Sequence, residues 1–179
     1  EESKKKMSKS QKGKVMSESA KRKISKANKG HIVTASARAK MSEARSKQKF
    51  PKKDTKPEKL IQSIIEKDGI TFVKHKNFKL TKSYHQADIV IEPNKVIELF
   101  GDYWHCNPKD FIRNGRLKSG FKPNDKITGG VIAKDKWKKD KEMVEHIEKQ
   151  GYRVLIIWES KLEKELDKTT KKILKFALS

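Results

Sequence analysis

Apolar residues recur at helical and strand periods only from about residue 55 onward. Thr55-Lys56-Pro57-Glu58 has the form of a helix start, and Leu60, Ile61, Ile64 and Ile65 then fall on one face before Gly69 ends the run. Strands are predicted around Ile70 to Lys74, Ala87 to Ile91 and Val96 to Phe100, with Glu92-Pro93-Asn94-Lys95 as the turn between the last two. A polar, Gly-containing segment from Asn107 to Gly130 follows, too long for an idle loop. Lys134 to Gln150 then reads as a helix with Met143, Val144 and Ile147 inward. Arg153 to Trp158 reads as an apolar strand and Leu162 to Leu178 as a closing helix. The order αβββαβα predicts an α/β fold, a small mixed β-sheet flanked by helices.

The first 46 residues have a different texture. Met7-Ser8, Ile24-Ser25 and Met41-Ser42 recur at a spacing of 17, each preceded by lysine at Lys6, Lys23 or Lys40. The register extends to Ser3, Ala20 and Ala37, to Lys4, Lys21 and Arg38, and to Ser10, Ala27 and Ala44, with Gly13 and Gly30 closing successive units. Ser17 and Thr34 are placed to cap short helices, and Val15-Met16 and Ile32-Val33 read as extended links. So few large apolar residues cannot form a core, and the array must lie on a partner. A solubilising tail is the alternative, but a random Lys-rich tail does not hold a 17-residue register. Residues 1–46 are therefore read as basic repeats, 47–56 as a polar linker with Pro51, and 57–179 as a separate domain.

Charge indicates the partner. The 179-residue chain carries a net charge of +22, and residues 1–56 hold 19 Lys and Arg against 5 Asp and Glu. The remainder is milder, with 26 against 18. Such a field favours nucleic acid, since each neutralised phosphate releases counterion. Within the repeats Lys6, Lys12, Lys21, Lys23, Lys29, Arg38 and Lys40 are the candidate phosphate contacts, and Arg113 and Arg116, with Lys118, add to them from the long loop. A membrane is disfavoured because the repeats lack a sustained apolar face and no run approaches the roughly 18 apolar residues of a span. Cys106 stands alone, which precludes an internal disulfide and fits a reducing, intracellular compartment. The chain opens on Glu1 rather than Met, which suggests an upstream portion.

Carboxylates fall where they are costly. Asp88 opens the apolar run Ile89-Val90-Ile91, and Glu98 interrupts Val96-Ile97-Glu98-Leu99-Phe100. Acids on adjacent strands are how a divalent-metal nuclease holds Mg2+ against a phosphate. Alternation leaves two orientations open for Glu98, into the site or onto a solvated face. Gly101-Asp102-Tyr103-Trp104-His105 follows at once. It brings a glycine able to turn the chain, two aromatic rings and an imidazole that can move protons near neutral pH.

These blocks carry a specific resemblance. Thr55-Lys56-Pro57-Glu58-Lys59-Leu60, Ala87-Asp88-Ile89-Val90, Phe100-Gly101-Asp102-Tyr103-Trp104-His105, Asp140 and Gly151-Tyr152-Arg153-Val154-Leu155-Ile156-Ile157-Trp158-Glu159 stand in the order and approximate spacing of the very-short-patch-repair endonucleases. The chain resembles equally the homing endonucleases built on that core, named EDxHD for their acid and histidine positions. Its N-terminal repeats resemble the nuclease-associated modular repeats appended to phage and intron homing endonucleases.

The resemblance implies a restriction-endonuclease-like core and a site-specific, metal-dependent DNA endonuclease acting on double-stranded DNA. It implies Glu58, Asp88, His105 and Asp140 as the active-site set. Asp88 would be the principal ligand of Mg2+ or another divalent cation, with the Leu99 carbonyl beside it and Glu98 as a further candidate. Simpler accounts exist for two members. Glu58 completes a capping box with Thr55, and Asp140 lies among lysines able to pair with it. Tyr103 and Trp104 either wedge into a base step or pack. The chain departs from the repair enzymes at Phe100, where they carry histidine, and one cysteine cannot rebuild their structural zinc site. A mismatch- or lesion-directed nicking enzyme, a catalytically inactive DNA-binding module and a ribonuclease are the alternatives. Target, strands cut and oligomeric state are not encoded in these motifs.

Overall fold

The computed structural model describes residues 13, 15–30, 32–47, 53–81 and 83–179. Lys6 and Lys12, and with them the first repeat's Met7-Ser8, lie outside the described residues. Contacts divide the chain into two units, Glu1–Ser42 and Glu43–Ser179, a division that falls within the second described helix.

Among its described residues the first unit carries one helix and most of a second. Helix α1 (Glu18–Asn28) begins where the Ser17 hydroxyl accepts from the Ala20 amide at 3.3 Å. Helix α2 (Ala35–Lys47) begins where the Thr34 hydroxyl accepts from the Ala37 amide at 3.1 Å. Each hydroxyl satisfies one of the amides a helix start leaves unpaired. Gly30 follows α1 at φ +82°, a conformation in which a Cβ would be strained. Helix α1 buries no residue, and Ile24 and Met41 stay about half exposed. Lys21, Lys23, Lys29, Arg38 and Lys40 are all exposed, Lys21 pairing with Glu18 at 2.6 Å.

The second unit is built on a four-stranded mixed sheet. Helix α3 (Lys56–Lys67) leads into β1 (Val73–Lys79), β2 (Tyr84–Ile91) and β3 (Lys95–Phe100). A small hairpin of β4 (Phe111–Arg113) and β5 (Arg116–Lys118) follows, then α4 (Ala133–Glu148), β6 (Arg153–Trp158), α5 (Glu159–Lys164) and α6 (Leu166–Leu178). The sheet order is β1-β2-β3-β6, with the first two pairings antiparallel and β3 parallel to β6. On one face Ile61 and Ile65 of α3 pack with Ile89, Ile97, Ile157 and Ile173. On the other Met143 and Ile147 of α4 pack with Phe78, Ala87, Val90 and Phe100. This is the expected mixed sheet flanked by helices.

Three expectations change. Strand β1 starts at Val73 rather than Ile70; it is an edge strand, where lysine and asparagine are tolerated, and Ile70 and Phe72 instead pack on the core before it. The Asn107–Gly130 segment is not a bare loop, because Asn114-Gly115 turns a hairpin within it, both residues at positive φ (+52° and +71°). The closing helix is two, broken at Glu165, whose φ of −135° is not helical.

Candidate active site

The ladder between β2 and β3 ends at Ile89 opposite Ile97, and the strands separate there. The Asp88 side chain fills in for the missing rung, its Oδ2 accepting from the Leu99 amide at 2.9 Å. Opposite Asp88, on β1, His75 has φ +57°. That is a left-handed conformation costly for a side-chain-bearing residue, about 1–3 kcal/mol, and such strain collects at functional sites. Its ring nitrogen Nε2 meets Asp54 Oδ1 at 2.8 Å, which holds the kink. The Lys74 ammonium and then His75, both hydrogen-bonded to Asp54, hold that carboxyl below the usual range. Ala87 packs on one face of the sheet while Ile89 packs on the other, so the regular alternation slips at Asp88.

Where the strands part there is a cleft of about 340 Å³. Glu58, Asp88, Glu98, Leu99, Trp104 and His105 all line it, so six of the positions singled out in the sequence come together. Glu58 reaches it from the first turn of α3 and also closes the capping box, accepting from the Thr55 amide at 2.9 Å. Glu58 therefore lines the cleft and closes the capping box at once. Glu98 is 2 % exposed and its Oε1 meets His85 Nε2 at 2.9 Å, so the solvated orientation is excluded.

His105 sits in the turn after β3, its amide bonded to the Gly101 carbonyl and its ring stacked on Phe100 with centroids 3.9 Å apart and planes 13° off parallel. Phe100 is thus a floor for the imidazole at the position where a second histidine was absent. Asp140, on α4, does not line the cleft. It holds His105 from behind, Oδ2 to Nδ1 at 2.9 Å, while Lys136 pairs with its other oxygen. With Nδ1 so engaged, Nε2 is the nitrogen left for the cleft. Gly101 does not take a positive φ; in this turn that conformation falls to Cys106, at +53°. Cys106 is buried in a third cluster with Ile127 and Ala133, and burial pushes its thiol pKa up, as befits packing rather than chemistry.

Two further groups escaped the sequence reading. Glu159, at the end of β6, also lines the cleft. Burial first, and the neighbouring charges of Asp102 and Glu163 after it, push its carboxyl pKa up. Its signal was positional, for the carboxyl ends of parallel strands are where α/β sheets place sites. The second group is a buried knot beneath the His105 turn. Asp102, 3 % exposed, accepts from the Ser160 amide and hydroxyl, each at 2.9 Å, and from the Asn107 side chain. No cation is involved in these contacts. The aromatic pair divides: Trp104 is 60 % exposed, whereas Tyr103 packs, its hydroxyl bonded to Thr128 and its ring under Arg113 at 3.4 Å. Arg116 is exposed on β5.

Comparison with known proteins gives matches at both ends of this description. The NUMOD3 motif matches residues 1–15 and 13–33. Among solved structures, the catalytic domain of the homing endonuclease I-Bth0305I is similar at 19 % identity and a TM-score of 0.43, covering 70 % of this chain and 96 % of that one. No curated protein matches.

Proposed function

We propose that the chain is a homing-type DNA endonuclease, its cleft hydrolysing phosphodiester bonds with a divalent cation while the N-terminal repeats bind double-stranded DNA. One observation carries this most directly. In a chain of net charge +22, four carboxylates, Glu58, Asp88, Glu98 and Glu159, line one small cleft beside an imidazole. Acids lining one cleft of a basic protein suit a cation and repel the substrate's own phosphate unless one is bound. The NUMOD3 match over the repeats, a motif associated with homing endonucleases, supports the same reading.

The donor set suits magnesium better than zinc. Among the described residues no three His, Cys, Asp or Glu side chains converge into a group able to hold an ion alone. Magnesium does not require one: it keeps several waters and takes one or two carboxylates plus substrate phosphate. Asp88 would hold it, with the Leu99 carbonyl and Glu98 as further donors, and when bound it would supply charge stabilisation to the phosphate under attack. The chain's own groups do the rest. His105, with Nδ1 fixed by Asp140, presents Nε2 to accept the proton of an attacking water or to neutralise the departing oxygen. Glu58, held by Thr55, and Glu98, held by His85, are pre-oriented acceptors at the cleft wall.

The test is cleavage of a long duplex DNA by the full chain, with magnesium or with EDTA, alongside Asp88→Asn. Magnesium-dependent cutting that Asp88→Asn abolishes while duplex binding persists is the expected result. A parent chain that binds but cuts under no divalent cation is a DNA-binding module and not an enzyme. Equal cutting of duplex and single-stranded RNA would move the substrate class.

A further inference from the structure

Beyond the cleft, the hairpin of β4 and β5 is a second feature whose chemistry is legible. Its inner side is anchored. Phe111 is buried and lies nearly parallel to Phe121 at 5.8 Å, and Gly120 backs so closely on the Pro108 carbonyl that a Cβ there would stand 2.0 Å from its oxygen. Its outer side is bare. Ile112 and Leu117 are direct cross-strand partners, 45 % and 69 % exposed, and belong to none of the three hydrophobic clusters. An adjacent, exposed apolar pair rimmed by charge on an anchored ribbon is a surface suited to contact with a partner.

Charge identifies that partner. Residues 107–130 carry six Lys and Arg against two acids. Both acids turn onto backbone amides, Asp110 accepting from Gly120 at 3.0 Å and Asp125 from Lys122 at 2.7 Å. Five of the six basic groups, Arg116 and Lys118 among them, are left exposed. Position then ties the ribbon to the cleft. Arg113 stacks on Tyr103, Tyr103 meets Trp104 edge-on at 5.2 Å, and Trp104 lines the cleft.

Resting on the endonuclease reading, we infer that this hairpin is a sequence-reading ribbon that enters the DNA major groove beside the cut, Ile112 and Leu117 meeting base edges while Arg116 and Lys118 meet phosphates. The major groove admits a two-stranded ribbon, and apolar side chains there discriminate thymine by its methyl group. The bases read lie within about one helical turn of the scissile bond, because the ribbon joins the cleft's own rim.

The experiment compares the full chain with Ile112→Ser/Leu117→Ser and with Arg116→Ala. It uses cleavage of a randomised-sequence duplex library, and footprints of each in an Asp88→Asn background. Unchanged thermal unfolding serves as the folding control. The double variant should lose base preference next to the cut and bind the preferred site about tenfold more weakly. Arg116→Ala should keep the preference and lower the salt slope by about one unit. Identical preferences and footprints for parent and double variant overturn the inference and leave the endonuclease reading intact. A parent that binds without cutting fails that reading instead, and the footprints then decide the hairpin alone. Protection of RNA and not of duplex DNA overturns both.

Discussion

His105 shows how one side chain acquires a task from its neighbours. Phe100 fixes the plane of its ring, Asp140 fixes its Nδ1, and the cleft receives what remains. Replacing His105 by Ala is expected to slow cutting about 100- to 10,000-fold with DNA binding unchanged, read as single-turnover cleavage beside a binding isotherm. Asp140→Asn should slow it less, since the ring stays stacked; an unaltered rate would show that Asp140 merely pairs with Lys136. Glu159 makes a prediction about stability. Burial and the nearby acids raise its pKa in the folded protein above the ordinary value of 4.5. The folded state therefore holds that proton more tightly than the unfolded chain does, so this group favours folding at low pH. The benefit disappears as pH rises from the ordinary value through the raised one. Glu159→Gln should accordingly gain stability relative to the parent as pH rises above the ordinary value of 4.5, measured by denaturant midpoints in EDTA. A difference that does not change across that rise would mean the carboxyl is freely solvated.

At the scale of elements, two devices hold the cleft open. The Thr55 and Glu58 capping box sets the start of α3, and Thr55→Ala should cost about 1 kcal/mol in chemical denaturation. The Asp102 knot sews the His105 turn to the start of α5. Asp102→Ala strands the Ser160 amide and the Asn107 side chain in the interior, an expected loss of about 2–4 kcal/mol, seen as a lower denaturant midpoint at unchanged slope. Of these devices the sequence showed the first plainly, because Thr-x-x-Glu before an apolar run is a local pattern. The knot was invisible, because Asp102 and Ser160 are 58 positions apart and a buried, uncharged-partner carboxylate leaves no periodic trace. The hairpin lay between these cases. Asn114-Gly115 announced a turn, but strands of three residues are too short for alternation to register.

For the molecule as a whole, a basic N-terminal array whose helix α1 buries no residue precedes a sheet domain with an acidic cleft. In the repeats Lys23, Arg38 and Lys40 are exposed, and the proposed role makes them phosphate contacts. Changing these three to Gln should weaken duplex binding, lowering the slope of log affinity against log salt by about 0.9 for each phosphate no longer neutralised. The cutting rate at saturating DNA should not change. A slope that stays the same would return the array to the status of a tail.

Local signals in the chain were enough to determine the repeat register, the helix caps and the mixed sheet flanked by helices, because caps and amphipathic periods act over a few residues, and they singled out Asp88 and His105, which line one cleft. Only the tertiary structure decided where β2 and β3 part, that Glu98 turns inward to His85, that Glu159 joins the cleft and that Asp140 stands behind His105 rather than in front of it. Those are contacts across strands and helices far apart in sequence. The parting of the strands lies beside a kink at His75 and Asp88 that no pattern of apolar and polar residues specifies.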